Sequence, residues 1–183
     1  MKQSKHNIYY SPKEVRTILE RSIDTALDGL KCYCNDPVSD FTRCRKLPAR
    51  TLIECIMSFS NYSSIGELSH FFVGHGEMPS ASALSQRRQL LDPDIFKRIN
   101  NLFVSAFDDH TTINGYHILA QDGSDVNIPF MDDKTKTEKH DAKSFCQYHV
   151  NALYDCLNKV FYDWSIDAAS KKREVNALIS ILK

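Results

Sequence analysis

Ala120-Gln121-Asp122-Gly123-Ser124-Asp125-Val126-Asn127-Ile128-Pro129 is the stretch on which the reading of this chain turns. Just before it, residues 116–120 (Tyr-His-Ile-Leu-Ala) are short, apolar and strand-like. An apolar strand that ends in an acidic residue followed by Gly sets a carboxylate, Asp122, at a strand's edge on rigid structure. Such a carboxylate suits magnesium, a hard cation that takes oxygen ligands and keeps several waters. Two such ions about 4 Å apart can clamp the attacking and leaving oxygens of a phosphoryl transfer. The pair Asp122-Gly123 also reads as an ordinary turn, and composition alone leaves both readings open.

Working downstream, residues 131–145 are dense in charge and lack apolar periodicity, which predicts a loop or mobile excursion. Residues 148–157 (Tyr-His-Val-Asn-Ala-Leu-Tyr-Asp-Cys-Leu) form a second strand candidate. Asn158-Lys159 makes a tight turn into a third strand, 160–166. Ser170 is placed to cap a final helix, 171–182, with Val175, Leu178 and Ile179 on one face.

Upstream, the pattern is helical. Ser11-Pro12-Lys13-Glu14 is a capping box with Pro at the first helical position. Val15, Ile18, Leu19, Ile23, Ala26, Leu27 and Leu30 follow at helical spacing, and Asp28-Gly29 marks the end. Residues 31–47 are irregular. A second helix starts near Pro48 and is apolar on most sides through Leu52, Ile53, Ile56, Met57 and Phe59, which places it at the centre. Ser63 or Ser64 caps a third, with Glu67 placed to complete a capping box. Gly74-His75-Gly76 ends it. A fourth, capped by Ser80 or Ser82, runs to about Leu91. Asp92-Pro93 opens a fifth, with Ile95, Phe96, Ile99, Leu102, Phe103, Ala106 and Phe107 at helical spacing. The order predicts an α+β chain: a helical region over 1–110, then a strand-hairpin-helix region over 111–183.

The composition, 42% hydrophobic and 25% charged over 183 residues, is that of an ordinary globular chain and excludes the disordered classes. No apolar run reaches the roughly 18 residues that span a bilayer, and residues 1–10 lack the apolar stretch of a secretory signal. A cytoplasmic protein is expected. Cys55, Cys146 and Cys156 sit in apolar stretches, and Cys32, Cys34 and Cys44 have no fourth ligand at zinc-finger spacing, so all six cysteines read as free thiols. The net charge is zero, yet residues 1–50 carry ten Lys and Arg against six Asp and Glu. A basic front end ahead of a near-neutral remainder fits contact with nucleic acid.

Two basic groups carry that expectation. Arg43, Arg45, Lys46 and Arg50 form one candidate phosphate-binding patch. The third helix, the loop over 74–79 and the fourth helix form a helix-turn-helix-like unit in which Gln86, Arg87 and Arg88 would reach phosphates or base edges. Two arginines on a solvated helix face are the plain alternative. His70, His75 and His149 read as structural residues, Trp164 and the many Phe as core. There is no glycine-rich phosphate loop and no nucleophile elbow.

The segment around Asp122 resembles the first catalytic segment of bacterial insertion-sequence transposases of the cut-and-paste type, which carry an Asp-Asp-Glu triad on a ribonuclease-H-like fold. Asp122, Gly123, Ser124 and Pro129 match its Asp-Gly-Ser and trailing Pro. His149-Val-Asn-Ala-Leu-Tyr-Asp155 resembles the family's second strand, residues 159–167 its third, and Arg173-Glu174 the start of the helix that follows. Leu47-Pro48-Ala-Arg50, Ser64-Ile-Gly-Glu67-Leu68 and Pro79 through Arg87-Arg88 look like the helical region before the core. The resemblance spans about residues 40–183.

The resemblance implies the first three strands and first helix of a ribonuclease-H-like core, with Asp122 as catalytic residue and metal ligand. It implies magnesium as cofactor in the complete enzyme and double-stranded DNA at transposon ends as partner. Of the three catalytic carboxylates only Asp122 can be mapped, so the chain reads as a truncated transposase, inactive alone and of low solubility because its first strand lacks a neighbour. Asp155, Asp163 and Asp167 are expected at the turn or surface. The alternative is a non-catalytic DNA-binding or dimerising module, such as an inhibitor of a full-length transposase; a helical protein unrelated to transposition is a third possibility.

Overall fold

The computed structural model describes residues 10–43, 46–74, 76–107, 111–130, 137–140, 143–168 and 174–181. The fold is α+β, and the chain divides into two compact units, one over residues 10–103 and one from Val104 onward.

In the first unit the helices are α1 (Pro12–Asp28), α2 (Ala49–Met57), α3 (Ser64–Phe71), α4 (Ala81–Arg88) and α5 (Asp94–Ser105), the last running just past its end. The capping box of α1 forms as read: the Glu14 N–H donates to Ser11 Oγ, and the Ser11 N–H donates to the Glu14 carboxylate at 2.7 Å. Gly29 closes the helix, and a short 3-10 turn, Leu30–Tyr33, follows inside the stretch expected to be irregular. Ile23 and Ala26 of α1, Leu52, Ile53 and Cys55 of α2, Leu68 of α3, Leu84 of α4, and Ile95 and Ile99 of α5 are buried together with Leu47, Phe72 and Leu91. Each buried Leu, Ile or Phe contributes about 1.5–3 kcal/mol on leaving water, and α2, with Ala49, Leu52, Ile53 and Cys55 all buried, lies at the centre of the unit.

Two details of the helices differ from expectation. Glu67 does not complete a capping box, because Ser63 is the N-cap and its Oγ accepts from Gly66. The buried Glu67 carboxylate instead accepts from the backbone N–H groups of Ser60 and Tyr62, both at 2.9 Å, and so holds the α2–α3 turn. In α5 the helix stops at Ser105, and Val104 rather than Ala106 is buried.

The second unit is a four-stranded antiparallel sheet with one helix. Its strands are β1 (Leu119–Ile128), β2 (Thr137–His140), β3 (Lys143–Asp155) and β4 (Val160–Ala168), and its helix is α6 (Glu174–Ile181). β3 is the centre. β1 pairs with it from Leu119↔Asp155 to Ile128↔Cys146, and β4 pairs on the other side from Tyr148↔Ala168 to Asp155↔Val160. β2 pairs with the opening of β3, Thr137 facing Cys146. α6 packs against β1, β3 and β4.

The strands are longer than periodicity predicted. β1 starts at Leu119 and runs through the Asp-Gly-Ser-Asp segment, because β3 offers each of its ten residues a partner. Cross-strand pairing overrides the poor strand propensity of Asp, Gly and Asn. Tyr116 instead bridges back to Ile113 across Asn114 and Gly115, both at positive φ (53° and 82°), a two-residue turn. The stretch expected to be a loop contains β2 and the start of β3; its charges mark a strand that periodicity cannot see. Ser170, the expected cap of the last helix, lies outside the described residues. Val175 and Ile179 are exposed and Ala177 is the buried side chain, so α6 turns a different face inward from the one predicted. Trp164 is half-buried and Phe161 exposed, which corrects their reading as core.

Candidate functional site

Strand geometry settles where Asp122 stands. It lies inside β1 rather than at its end, opposite Ala152, which in turn faces Trp164 on β4. Its side chain is exposed, and Oδ1 accepts from the Gly123 N–H at 3.0 Å. Alternation puts Ala120, Asp122, Ser124 and Val126 on one face with Val150, Ala152 and Tyr154 of β3. Asp125, Asp155, Asp163 and Asp167 fall on the opposite face by the same register. Asp122 is therefore the single carboxylate of its face of the sheet among the described residues. No three His, Cys, Asp or Glu side chains among the described residues could hold a metal ion. The described residues do not by themselves fit a magnesium site, and Asp122 offers one ligand.

The opposite face carries two histidine–aspartate pairs. His149 Nδ1 lies 2.7 Å from Asp125 Oδ1, its direct cross-strand neighbour. At the end of β3, Asp155 stands at the turn, one of the two places expected for it, but it is buried there. Its Oδ1 accepts from the N–H groups of Leu157 and Asn158, both at 3.0 Å, and Oδ2 accepts from Asn158 Nδ2 at 2.7 Å and meets His117 Nδ1 at 2.8 Å. Burial pushes this carboxyl upward, but the hydrogen bonds from Asn158, His117 and Leu157 outweigh it and hold the group at about 2. The β3–β4 turn, with Lys159 at φ 58°, is built on this carboxylate. Glu174 opens α6.

In the helical unit, Arg87 brings the two basic groups together. Its Nε donates to the Leu47 carbonyl at 3.0 Å, and its guanidinium lies 4.1 Å from the ring centroid of Phe41. Phe41 has φ 55°, a left-handed conformation that costs a non-glycine residue energy and that the stacked arginine helps to hold. Phe41 and Leu47 are thereby neighbours of the end of α4 although about forty positions apart in sequence. Arg43, Gln86 and Arg88 are exposed. Lys46 pairs with Glu77 at 2.5 Å, and Arg50 with Asp24 and, at 2.8 Å, with Glu54. Arg45 lies outside the described residues. Nine residues, 72–80, separate α3 from α4, longer than the turn of a compact helix-turn-helix unit.

Of the other expectations, Cys55 and Cys146 are buried free thiols, whereas Cys32 and Cys156 are exposed. Cys34 is a free thiol as well, pushed upward by burial and then by Asp40. His70 stacks on Tyr62 with centroids 4.5 Å apart; His75 and Cys44 lie outside the described residues. No helix among the described residues is long and apolar enough to cross a membrane. Comparison with protein families, with curated proteins and with solved structures gives no match to this chain.

Sequence reasoning missed the Asp125–His149 pair. His149 lay in a strand candidate, but Asp125 fell beyond the predicted first strand, so the pair needed both the true length of β1 and its register.

Proposed function

We propose that the chain is the N-terminal part of a DNA transposase of the Asp-Asp-Glu insertion-sequence type. In this reading the helical unit contacts double-stranded DNA at transposon ends, and the sheet forms the opening strands of a ribonuclease-H-like core. The observation that carries it is the position of Asp122. It is exposed on the first long strand of a sheet whose next long strands form an antiparallel hairpin and are followed by a helix. The sequence match at Asp122, Gly123 and Ser124 adds support, although Asp122 lies inside the strand and not at its end. Magnesium-dependent strand cleavage and joining belong to the complete enzyme the resemblance implies, and Asp122 would be one metal ligand there.

The residues of this chain suited to DNA are those of the joined basic region. Arg43 and Arg88 are exposed and offer charge to phosphates. Arg87 supports the region from within, and Arg50 and Lys46 are held by carboxylates. A second reading, a non-catalytic DNA-binding or dimerising module that acts on a full-length transposase, is favoured by the single carboxylate on the Asp122 face.

The test is fluorescence anisotropy with duplexes selected from a random pool, titrated against salt. Binding that weakens linearly in log salt is expected, and Arg43→Ala and Arg88→Ala should each flatten the slope by about 0.9. Magnesium-dependent strand cleavage lost in Asp122→Asn supports the enzyme; binding without cleavage supports the module. No duplex affinity at about 50 mM salt, where phosphate contacts are strong, would sink both.

A further inference from the structure

The central strand carries a second polar feature that the transposase reading does not use. His149 and Asn151 occupy alternate positions on β3 and so share a face. They are 7% and 1% exposed. Three of their polar atoms, His149 Nε2, Asn151 Oδ1 and Asn151 Nδ2, are buried without a hydrogen-bond partner among the described residues. Buried polar atoms are rarely left so, because each loses its water and gains nothing in exchange.

The register sets small residues beside them. Asn151 sits between Gly123 of β1, which has no side chain, and Ser165 of β4, which has only a hydroxymethyl group. The next row on the same face is Asp125–His149–Asp167, and Ser165 Oγ donates to Asp167 at 3.2 Å. No large side chain of the neighbouring strands flanks the buried amide in its own row.

Hydrogen bonding limits what can sit there. Asp125 can only accept, so His149 meets it with Nδ1–H and turns Nε2 to the guest. A guest must therefore pair with Nε2, donate to Oδ1 and accept from Nδ2. A cation fails the last requirement. Water meets all three, with two O–H donors and free lone pairs, and it is small enough for a site flanked by glycine and serine.

We propose that His149 and Asn151 form an internal water site on β3, holding one water or a hydrogen-bonded pair. Asp125, whose side chain is 38% exposed, links the imidazole to the surface. The chain of bonds runs from solvent through Asp125 and His149 to the water and the Asn151 amide. It ties β1 to β3 from the face opposite Asp122 and does not depend on the transposase reading.

Two measurements on the full chain test the site. In nitrogen-edited NOE and ROE spectra, the Asn151 side-chain amide protons should show cross-peaks to water of dipolar rather than exchange sign. In urea unfolding, Asn151→Leu should lower the folding equilibrium constant at least tenfold, because water and Nε2 lose a partner. An amide with no guest gives the opposite sign, since an apolar side chain then removes two buried orphan atoms. Absence of the cross-peaks, or a gain in stability in Asn151→Leu, would overturn the proposal.

Discussion

Replacing Asp155 by Asn should cost the fold about 2–3 kcal/mol at neutral pH, and most of that loss should disappear in acid. Asp155 is 1% exposed, and its two oxygens meet four groups: the N–H of Leu157, the N–H and the Nδ2 of Asn158, and Nδ1 of His117. The carboxyl falls from its ordinary 3.8 to about 2 in the folded chain. At about 1.4 kcal/mol per pKa step, a fall of roughly two steps gives the magnitude. Because the folded value is the lower one, the stabilisation is fully present above about pH 4 and is lost as pH falls through about 2. Asn keeps one acceptor for the turn N–H groups but turns an NH2 towards the donors of Asn158 and His117. Urea unfolding at pH 7 and at pH 2 reads both numbers, and at about 2–4 °C per kcal/mol the melting temperature at pH 7 should drop about 5–10 °C. An equal deficit at both pH values, or less than about 0.5 kcal/mol at pH 7, would show that the charge of Asp155 does not hold the turn.

Other perturbations address the helical unit and the thiols. Glu67→Gln leaves one amide oxygen for the Ser60 and Tyr62 N–H groups and should cost about 1–3 kcal/mol in urea unfolding at pH 7. Leu52→Ala empties a fully buried position in α2 and should cost about 2–5 kcal/mol, read by thermal melting followed by circular dichroism. With a thiol-reactive disulfide reagent at pH 8, Cys32 and Cys156 should react in the folded chain, while Cys55 and Cys146 should react only on unfolding. Burial, and secondarily Glu67, pushes the Cys55 thiol upward, so rapid labelling of Cys55 would contradict its place in the core.

Helices were legible wherever a side-chain stripe and a cap agreed, as at Ser11 to Glu14 and along Ile95 and Ile99. Glu67 shows the limit of motif reading. A Ser-x-x-Glu pattern predicts a reciprocal cap, but a buried carboxylate takes whichever N–H groups the preceding turn aims at it. The α+β division and the strands β3 and β4 were visible from apolar runs, whereas the first predicted strand, 116–120, overlaps β1 at Leu119 and Ala120 alone. β1 continues through Asp122, Gly123 and Asp125 because its neighbour supplies hydrogen bonds, and that information is non-local. The same holds at the sites. Asp122 was singled out from one strand, the Asp125–His149 pair required two strands in register, and the role of Arg87 required Phe41 and Leu47 to meet α4.

The pairing pattern of β3 also implies an order of assembly. Four residues separate Asp155 from Val160, while seventeen separate Ile128 from Cys146. By loop-closure entropy the longer connection costs about 1 kcal/mol more, so the β3–β4 hairpin, closed over the Asp155 turn, should form ahead of the β1 pairing. β1 then arrives as the last strand on an already folded template. Changes at Asn158 or Lys159 should therefore slow refolding, whereas changes confined to β1 should chiefly hasten unfolding.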